Sequence, residues 1–497
     1  MNLANNLVNN YENMPEKVCL MQNDTLVTYS DLYKEVSNFA DYLKKKGIKK
    51  GSNVLVLVPM SKNLYVTLLS IWSIGATACF MDAGFIKNGM KKNKFDEIDS
   101  IVGKTVYLLY ANINKNLRKL KIKINEKVID KLKGDNHLEI CNVEEDFPAI
   151  LTYTSGTTGA PKIAARSHEF LSIQAEILKN CLNYEEDDIE LSSVPIFTLS
   201  NIDAGITTCI ADGNFTNLGN SNAEKIVTQI INKKINRIMA APGLLNLINK
   251  YCKENSIKID QVTKVFSGGG AIFVDFINDI KSVFPNARIV TLYGSTEAEP
   301  IAEMDVSDIP KDIMNKIKEG HGIPSGTIVG VSDCKIINIG IKEIGDISKE
   351  EFDKLQTNGI GEIVVSGRNV LKGYVNGYGD KENKFSVDGI KYHRTGDMGF
   401  LDENNNLWLR GRIKEPFFNI EAALHAKFKI GKTAVFKNND EIILVLENGD
   451  KIDESDIREA ISFEKIDKIK YVEKIPVDKR HSTKVDYKEL RKLLKME

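Results

Sequence analysis

Ile150-Leu151-Thr152-Tyr153 is an apolar run that passes directly into Thr154-Ser155-Gly156-Thr157-Thr158-Gly159-Ala160-Pro161-Lys162. An apolar run that ends in a turn rich in Gly, Ser or Thr reads as a buried strand followed by a loop. The arrangement recurs downstream. Residues 190–194 lead into Pro195, Val265 and Phe266 lead into Ser267-Gly268-Gly269-Gly270, and residues 288–292 lead into Tyr293-Gly294-Ser295-Thr296-Glu297. In open α/β sheets ligands bind beyond the carboxyl ends of the strands, so these four turns are expected to face one crevice.

Upstream of the loop the pattern is also α/β. Ser30 offers a cap for a helix with apolar residues at Leu32, Val36, Phe39, Ala40 and Leu43, closed by Gly47. Residues 54–58 form an unbroken apolar run before Pro59, as in a strand buried on both faces. A helix from Ser61 to about Gly75 and a strand at 76–81 complete one βαβ unit. After about Gly359 short strands at 362–366, 399–401 and 407–409 predict a smaller β-rich subdomain. Beyond Arg412, a hairpin at 433–446, a helix near 455–461 and a Lys-rich tail predict a small α+β domain. The expected fold class is α/β: a large N-terminal domain (1–412) of doubly wound mixed sheets with a β-rich part at about 359–412, then a mobile C-terminal domain (413–497).

Composition narrows the function. The chain's 497 residues correspond to about three domains' worth of material. Lys plus Arg (67) balances Asp plus Glu (68), so nucleic acid is an unlikely partner on charge grounds. The lysines between 87 and 133 read as a solvated face. Seven scattered cysteines without a C-x-x-C pair fit a reducing cytosol. The polar first twelve residues lack a secretory core, and the apolar stretch 64–81 is interrupted by Ser70, Ser73, Gly75 and Thr77, too broken to span a membrane. These features predict a cytoplasmic protein.

The 154–162 loop offers backbone N–H groups, four hydroxyls and the Lys162 ammonium as a cradle for polyphosphate. Its glycine-to-lysine spacing is not that of a Walker A loop. Gly431-Lys432-Thr433 fails that pattern too, because Ala426 stands where a glycine is required. In isolation such a loop is an ordinary surface turn. Its company changes the reading.

Residues 151–162 resemble the phosphate-loop signature of the adenylate-forming superfamily: acyl-CoA synthetases, aryl-acid ligases, luciferases and peptide-synthetase adenylation domains. Further signatures follow in order. Ser267-Gly268-Gly269-Gly270-Ala271 is similar to the adenine-lining segment, Tyr293-Gly294-Ser295-Thr296-Glu297 to the core signature, and His393-Arg394-Thr395-Gly396-Asp397 to the ribose signature. Gly411-Arg412-Ile413-Lys414 is similar to the hinge, and Lys484 stands where a mobile C-terminal lysine is expected. The resemblance spans about residues 24–494.

It implies ATP and Mg²⁺ as reactants and a small carboxylic acid as partner. Thr154, Ser155, Gly156, Thr157, Thr158, Gly159 and Lys162 would cradle phosphates, and Gly269, Gly270, Ala271, Tyr293, Gly294 and Ser295 would line the adenine side. Thr296 would meet the α-phosphate, Glu297 and Thr157 the Mg²⁺, and Asp397 and Arg412 the ribose. Lys162, Thr296, Glu297 and Lys484 would be the catalytic set, with Lys414 as hinge. Phe197, Thr198 and Asn201 would line the acid pocket. Thr198 stands where amino-acid-activating relatives carry an aspartate, and the apolar stretch 191–210 suits a fatty or aryl acid.

The acyl acceptor implied by the resemblance is CoA or a carrier-protein pantetheine. Against this, Glu415-Pro416-Phe417-Phe418 runs straight into Asn419, several residues short of the family's hairpin. Residues 292–302 and 476–486 are nearest in texture to the β-lactone synthetase branch, which closes a 3-hydroxy acid on its own hydroxyl without CoA. A non-catalytic nucleotide- or acyl-binding protein is the remaining alternative.

Overall fold

The run Val54-Leu55-Val56 has no polar side chain to solvate, and it is fully withdrawn from water at the middle of a sheet. The computed structural model describes residues 2–81, 98–154, 162–213, 218, 221–449, 452–477 and 484–496. Their contacts divide the chain into two units, Met1–Ile210 with Arg368–Lys384, and Ala211–Gly367 with Phe385–Glu497.

In the first unit, strands β1 (Val18–Gln22), β2 (Thr25–Thr28), β3 (Asn53–Leu57), β4 (Thr77–Met81), β5 (Ser100–Gly103), β6 (Ile122–Asn125), β7 (Pro148–Thr154), β8 (Lys162–Ser167), β9 (Ile189–Ser192) and β10 (Thr207–Ile210) form two sheets. One has the order β6-β5-β3-β4-β7-β8, parallel except for the β7–β8 pair. The chain leaves β3 for β4 on one side and then crosses to β5 on the other, the double winding expected of an α/β sheet. The other runs β9-β10-β1-β2. The 64–81 stretch resolves into the helix Lys62–Ser73 and β4, and the indole of Trp72 donates to the Ala149 carbonyl at 2.9 Å, fastening that helix to β7. Among the described residues no helix is long and apolar enough to cross a membrane.

The helix expected after Ser30 starts one residue before that cap. It spans Tyr29–Lys45, and Thr28 rather than Ser30 caps it: the Thr28 hydroxyl accepts from the Asp31 N–H while the Asp31 carboxylate accepts from the Thr28 N–H. This reciprocal pair satisfies two orphan backbone donors at once, an advantage Ser30 lacks without an acid three residues on.

The second unit holds β11 (Arg237–Met239), β12 (Lys264–Gly268), β13 (Arg288–Ser295), β14 (Ala298–Asp305), β15 (Ile323–Ile328), β16 (Asp333–Ile337), β17 (Asp346–Ile347), β18 (Gly361–Ser366), β19 (Lys384–Val387), β20 (Ile390–Leu401) and β21 (Leu407–Arg412). Strands β11, β12 and β13 are parallel, and the sheet turns antiparallel from β13 onward through β14, β15, β21, β20, β18 and β16. The antiparallel texture thus begins at Ala298, earlier than the short runs after Gly359 suggest. Arg394 of β20 and Glu362 of β18 form a buried ion pair whose guanidinium also donates to the Ile341 and Lys342 carbonyls at 2.8 and 3.1 Å. A buried pair is sustained only when its remaining donors are met, as here.

The C-terminal stretch carries β22 (Thr433–Asn438), β23 (Glu441–Glu447) and β24 (Lys468–Val472), with the expected hairpin antiparallel and β24 parallel to β23. The helix Glu454–Ala460 is where the apolar spacing puts it. Two further helices, Phe418–Lys427 and Tyr487–Leu493, were not evident from the sequence. The first has no polar face, since residues 419–425 are all buried.

Glu421 lies within that buried helix, and desolvation pushes its carboxyl up to about 8 although the Val435 N–H donates to it. Between its ordinary range and that value, the folded chain holds a proton that the unfolded chain has lost, so stability falls as pH rises across the window. Glu421→Gln should therefore melt at a higher temperature than the parent at about pH 9, with the gap closing toward about pH 5. Thermal unfolding followed across that range checks it, and parallel curves would exclude a protonated Glu421.

Candidate active site

Two glycines after β12 do different work. A Cβ on Gly268 would stand 2.6 Å from the Leu292 carbonyl oxygen, so β12 and β13 approach closely only because that atom is missing. Gly269 has open space around it but adopts φ +82°, a backbone region that other residues rarely enter. The segment Gly269-Gly270-Ala271 thereby leaves β12 beside the carboxyl end of β13, where Tyr293 and Gly294 sit. Thr296 and Glu297 form the two-residue tip joining β13 to β14, with Ser295 paired to Ala298 and the Glu297 N–H donating to the Ser295 hydroxyl at 3.3 Å.

Asp397 is the centre of this group. Its Oδ2 accepts from the Tyr293 hydroxyl at 2.8 Å, and its Oδ1 lies 3.1 Å from Arg412 Nε. Arg412 also donates to the Thr395 carbonyl at 3.0 Å, while the Thr395 hydroxyl accepts from the Asp397 N–H at 3.1 Å and donates to the Ile363 carbonyl at 2.9 Å. Burial pushes the Asp397 carboxyl above the usual range, opposed by the charge of Arg412, the Tyr293 hydroxyl and the charge of Lys484. Burial and the adjacent Asp397 hold the Tyr293 phenol well above its ordinary value, so it remains a donor. A carboxylate has about four lone-pair positions, and these bonds occupy two, leaving Asp397 able to accept two further hydroxyls.

Lys484 is exposed and precedes Val485, which bridges to Val477. Its charge is felt at Asp397. Gly269, Gly270, Tyr293, Gly294, Thr296, Glu297, Asp397, Arg412 and Lys484 thus all lie in one unit. Among the described residues no three His, Cys, Asp or Glu side chains gather to hold a metal. Mg²⁺ does not need such a cage, because it takes one or two carboxylates beside phosphate oxygens and water.

The phosphate-loop candidates belong to the first unit. Thr154 ends β7 and Lys162 opens β8 directly opposite it. Ser155, Gly156, Thr157, Thr158 and Gly159 lie outside the described residues. The Lys162 ammonium stands 5.3 Å from the centre of the Tyr374 ring.

Phe197, Thr198 and Asn201 share the helix Pro195–Ala204 and are buried. The Asn201 amide donates to Glu190 at 2.7 Å and to the Thr208 hydroxyl at 2.9 Å, tying the helix to β9 and β10. Asn201 is therefore held by protein partners. Tyr374 and Thr395 were not singled out from sequence; the short Gly373-Tyr374 pair inside the glycine-rich stretch 373–379 is the one signal that marks the former.

After β21 the chain makes a tight turn, with the Glu415 N–H donating to the Arg412 carbonyl at 2.9 Å, and it enters the helix at Phe418 within three residues of Glu415. Residues 413–432, all described, contain no strand, so the short connection read from the sequence is present in the fold. The helix is clasped to its neighbour Val274–Val283: His425 Nδ1 lies 2.6 Å from Asp275 Oδ2, its ring stacks on Phe273 at 4.4 Å, and its Nε2 is 3.2 Å from the Thr433 hydroxyl.

Residues 7–375 match the model of the AMP-binding enzyme family. The chain is 25% identical to a 4-coumarate–CoA ligase of Vanilla planifolia, over 97% of this chain and 91% of that one. It is 24% identical to an olefin beta-lactone synthetase of Stenotrophomonas maltophilia, over 78% and 73% respectively. Its fold is similar to the O-succinylbenzoate coenzyme A synthetase of Bacillus subtilis in complex with AMP, with a TM-score of 0.75 at 17% identity and 98% coverage of both chains. With a family match over well more than half its length, the chain belongs to the AMP-binding enzyme family and is an AMP-forming acid ligase.

Proposed function

We propose that the chain joins a small fatty or aryl carboxylic acid to the α-phosphorus of ATP, giving an acyl-adenylate and pyrophosphate. The Asp397–Tyr293–Arg412 cluster carries this reading, because it presents a carboxylate with spare acceptor capacity beside a ring and a guanidinium, the chemistry a ribose and a base require. One carboxylate oxygen of the acid bonds to the α-phosphorus, and the bond from that phosphorus to the β-phosphate oxygen breaks. The electron pair leaves with pyrophosphate. A carboxylate is already ionised near pH 7, so no general base is needed. The demand is for positive charge and aligned donors where charge develops.

Lys162 serves the pyrophosphate side, and Thr296 and Lys484 serve the α-phosphate. Mg²⁺ held at Glu297 would neutralise phosphate charge. The C-terminal residues 413–497 are proposed to move about Lys414, and any such movement must release the His425–Asp275 clasp.

The direct entry of the chain into the helix at Phe418 favours a second step that does not use CoA, since no hairpin stands ready to line a pantetheine channel. A 3-hydroxy acid provides its own nucleophile. Its hydroxyl oxygen would attack the acyl carbon, AMP would depart with the electron pair of the broken C–O bond, and the hydroxyl proton would pass to solvent.

Two measurements test this function. Lys484→Ala should lower acid-dependent AMP and pyrophosphate release by about 10²–10³-fold while ATP still binds, the usual scale for losing one charge-stabilising donor. Undiminished release removes Lys484 from the reaction. Incubation of the parent with MgATP and fatty, 3-hydroxy or aryl acids should give AMP and pyrophosphate rather than ADP. A 3-hydroxy acid should yield a cyclic ester without CoA, whereas an acyl-CoA product would assign the acceptor to the thiol.

A further inference from the structure

Residues 368–384 associate with the first unit although the chain on both sides belongs to the second. The segment is closed on itself. The Lys384 ammonium, almost wholly buried, donates to the Leu371 carbonyl, the Tyr374 N–H donates to Asp380 Oδ1 at 2.8 Å, and the Asn383 amide donates to the Gly379 carbonyl at 2.7 Å. A backbone bridge between Tyr374 and Ala164 then joins the segment to β8, two residues from Lys162.

Two features of this strap are shaped to Lys162. Its ammonium lies over the Tyr374 ring at 5.3 Å, within the range at which a cation is attracted to an aromatic face. Gly379 has φ +95°, and a Cβ there would stand 2.7 Å from Lys162 Cε, 3.0 Å from Cδ and 3.1 Å from Cγ, so the stem of the lysine runs through the space that a side chain would fill. The ring receives Lys384 from 5.6 Å as well, but that ammonium is committed to Leu371. The strap therefore fixes both the direction of the stem and the position of the charge.

We infer that the strap 371–384 is a positioning element for Lys162, in which Tyr374 holds the ammonium and Gly379 leaves the channel for its stem. The inference rests on the proposed role of Lys162 at the pyrophosphate side. Without such a holder the four-carbon stem samples many rotamers, and ordering it costs conformational entropy. An ammonium already held near its working position has less of that freedom to lose when ATP arrives. Tyr374 is a positioning residue in this scheme, acting only through Lys162.

The experiment is a double-mutant cycle read as kcat/KM for ATP in acid-dependent pyrophosphate release, using the full chain. Tyr374→Leu should lower kcat/KM by about 3–30-fold, the range of a cation–π contact between an exposed and a desolvated site. In the Lys162→Ala background the same change should add no further loss, because nothing remains to be held. Equal losses in both backgrounds would overturn the inference, as would an unaltered Tyr374→Leu enzyme.

If Tyr374→Leu fails to fold, Tyr374→Phe carrying zero to three ring fluorines gives a nearly isosteric series. The rate constant should fall stepwise with fluorination, and independence of fluorine number would overturn the inference. Full activity of Lys162→Ala would instead remove the proposed role of Lys162 itself, and the reason for holding it would go with it.

Discussion

One largely buried carboxylate draws three strands to a common point. Asp397 of β20 is paired in register with Arg412 of β21 and accepts from Tyr293 of β13. Low local dielectric makes an unpaired carboxylate costly there, so the arginine and the phenol are structural requirements of the fold. The Thr395 bonds to Asp397, Arg412 and Ile363 extend the same network to β18, and the Arg394–Glu362 pair fastens the next turn of that strand pair. Once these strands are held, the Thr296–Glu297 tip and the segment after Gly268 have little freedom left in where they stand.

Legibility in the sequence followed the range of the interactions. The βαβ unit from Val54 to Met81 was readable because each element declares itself through neighbouring residues: an apolar run closed by Pro59, a helical stretch, a glycine terminator. The hairpin of β22 and β23 was readable for the same reason. The helix Phe418–Lys427 was hidden because a helix buried all round has no polar face and so no period to detect. The ordered signatures marked Tyr293, Asp397 and Arg412 as a group, but nothing local shows that Arg394, in the same signature as Asp397, spends its guanidinium on Glu362 and two carbonyls. Asn201 is a similar case. The resemblance offers it for the acid pocket, and nothing local shows that its amide donates to Glu190 and Thr208, on strands that sequence spacing does not bring near it.

The connection after Arg412 joins two kinds of constraint. Gly411 adopts φ +118°, and a Cβ there would lie 2.5 Å from the Glu415 carbonyl, so the turn closes over a missing side chain. The helix beyond it shares a core with Trp408, Val274 and Ile317 through Ala422. A short tether and a shared core hold the start of this helix against the strands that precede it.

The strap also bears on how the protein is made. Because residues 368–384 complete the unit begun by residues 1–210, the ribosome must deliver well over a hundred intervening residues before that unit can close. During this interval β8 lacks the Tyr374 segment it pairs with, and the nascent first unit waits with an unfilled edge. Vectorial synthesis and the discontinuous arrangement of the chain are thus at odds, so a fragment ending at residue 210 would be a poor stand-in for the first unit.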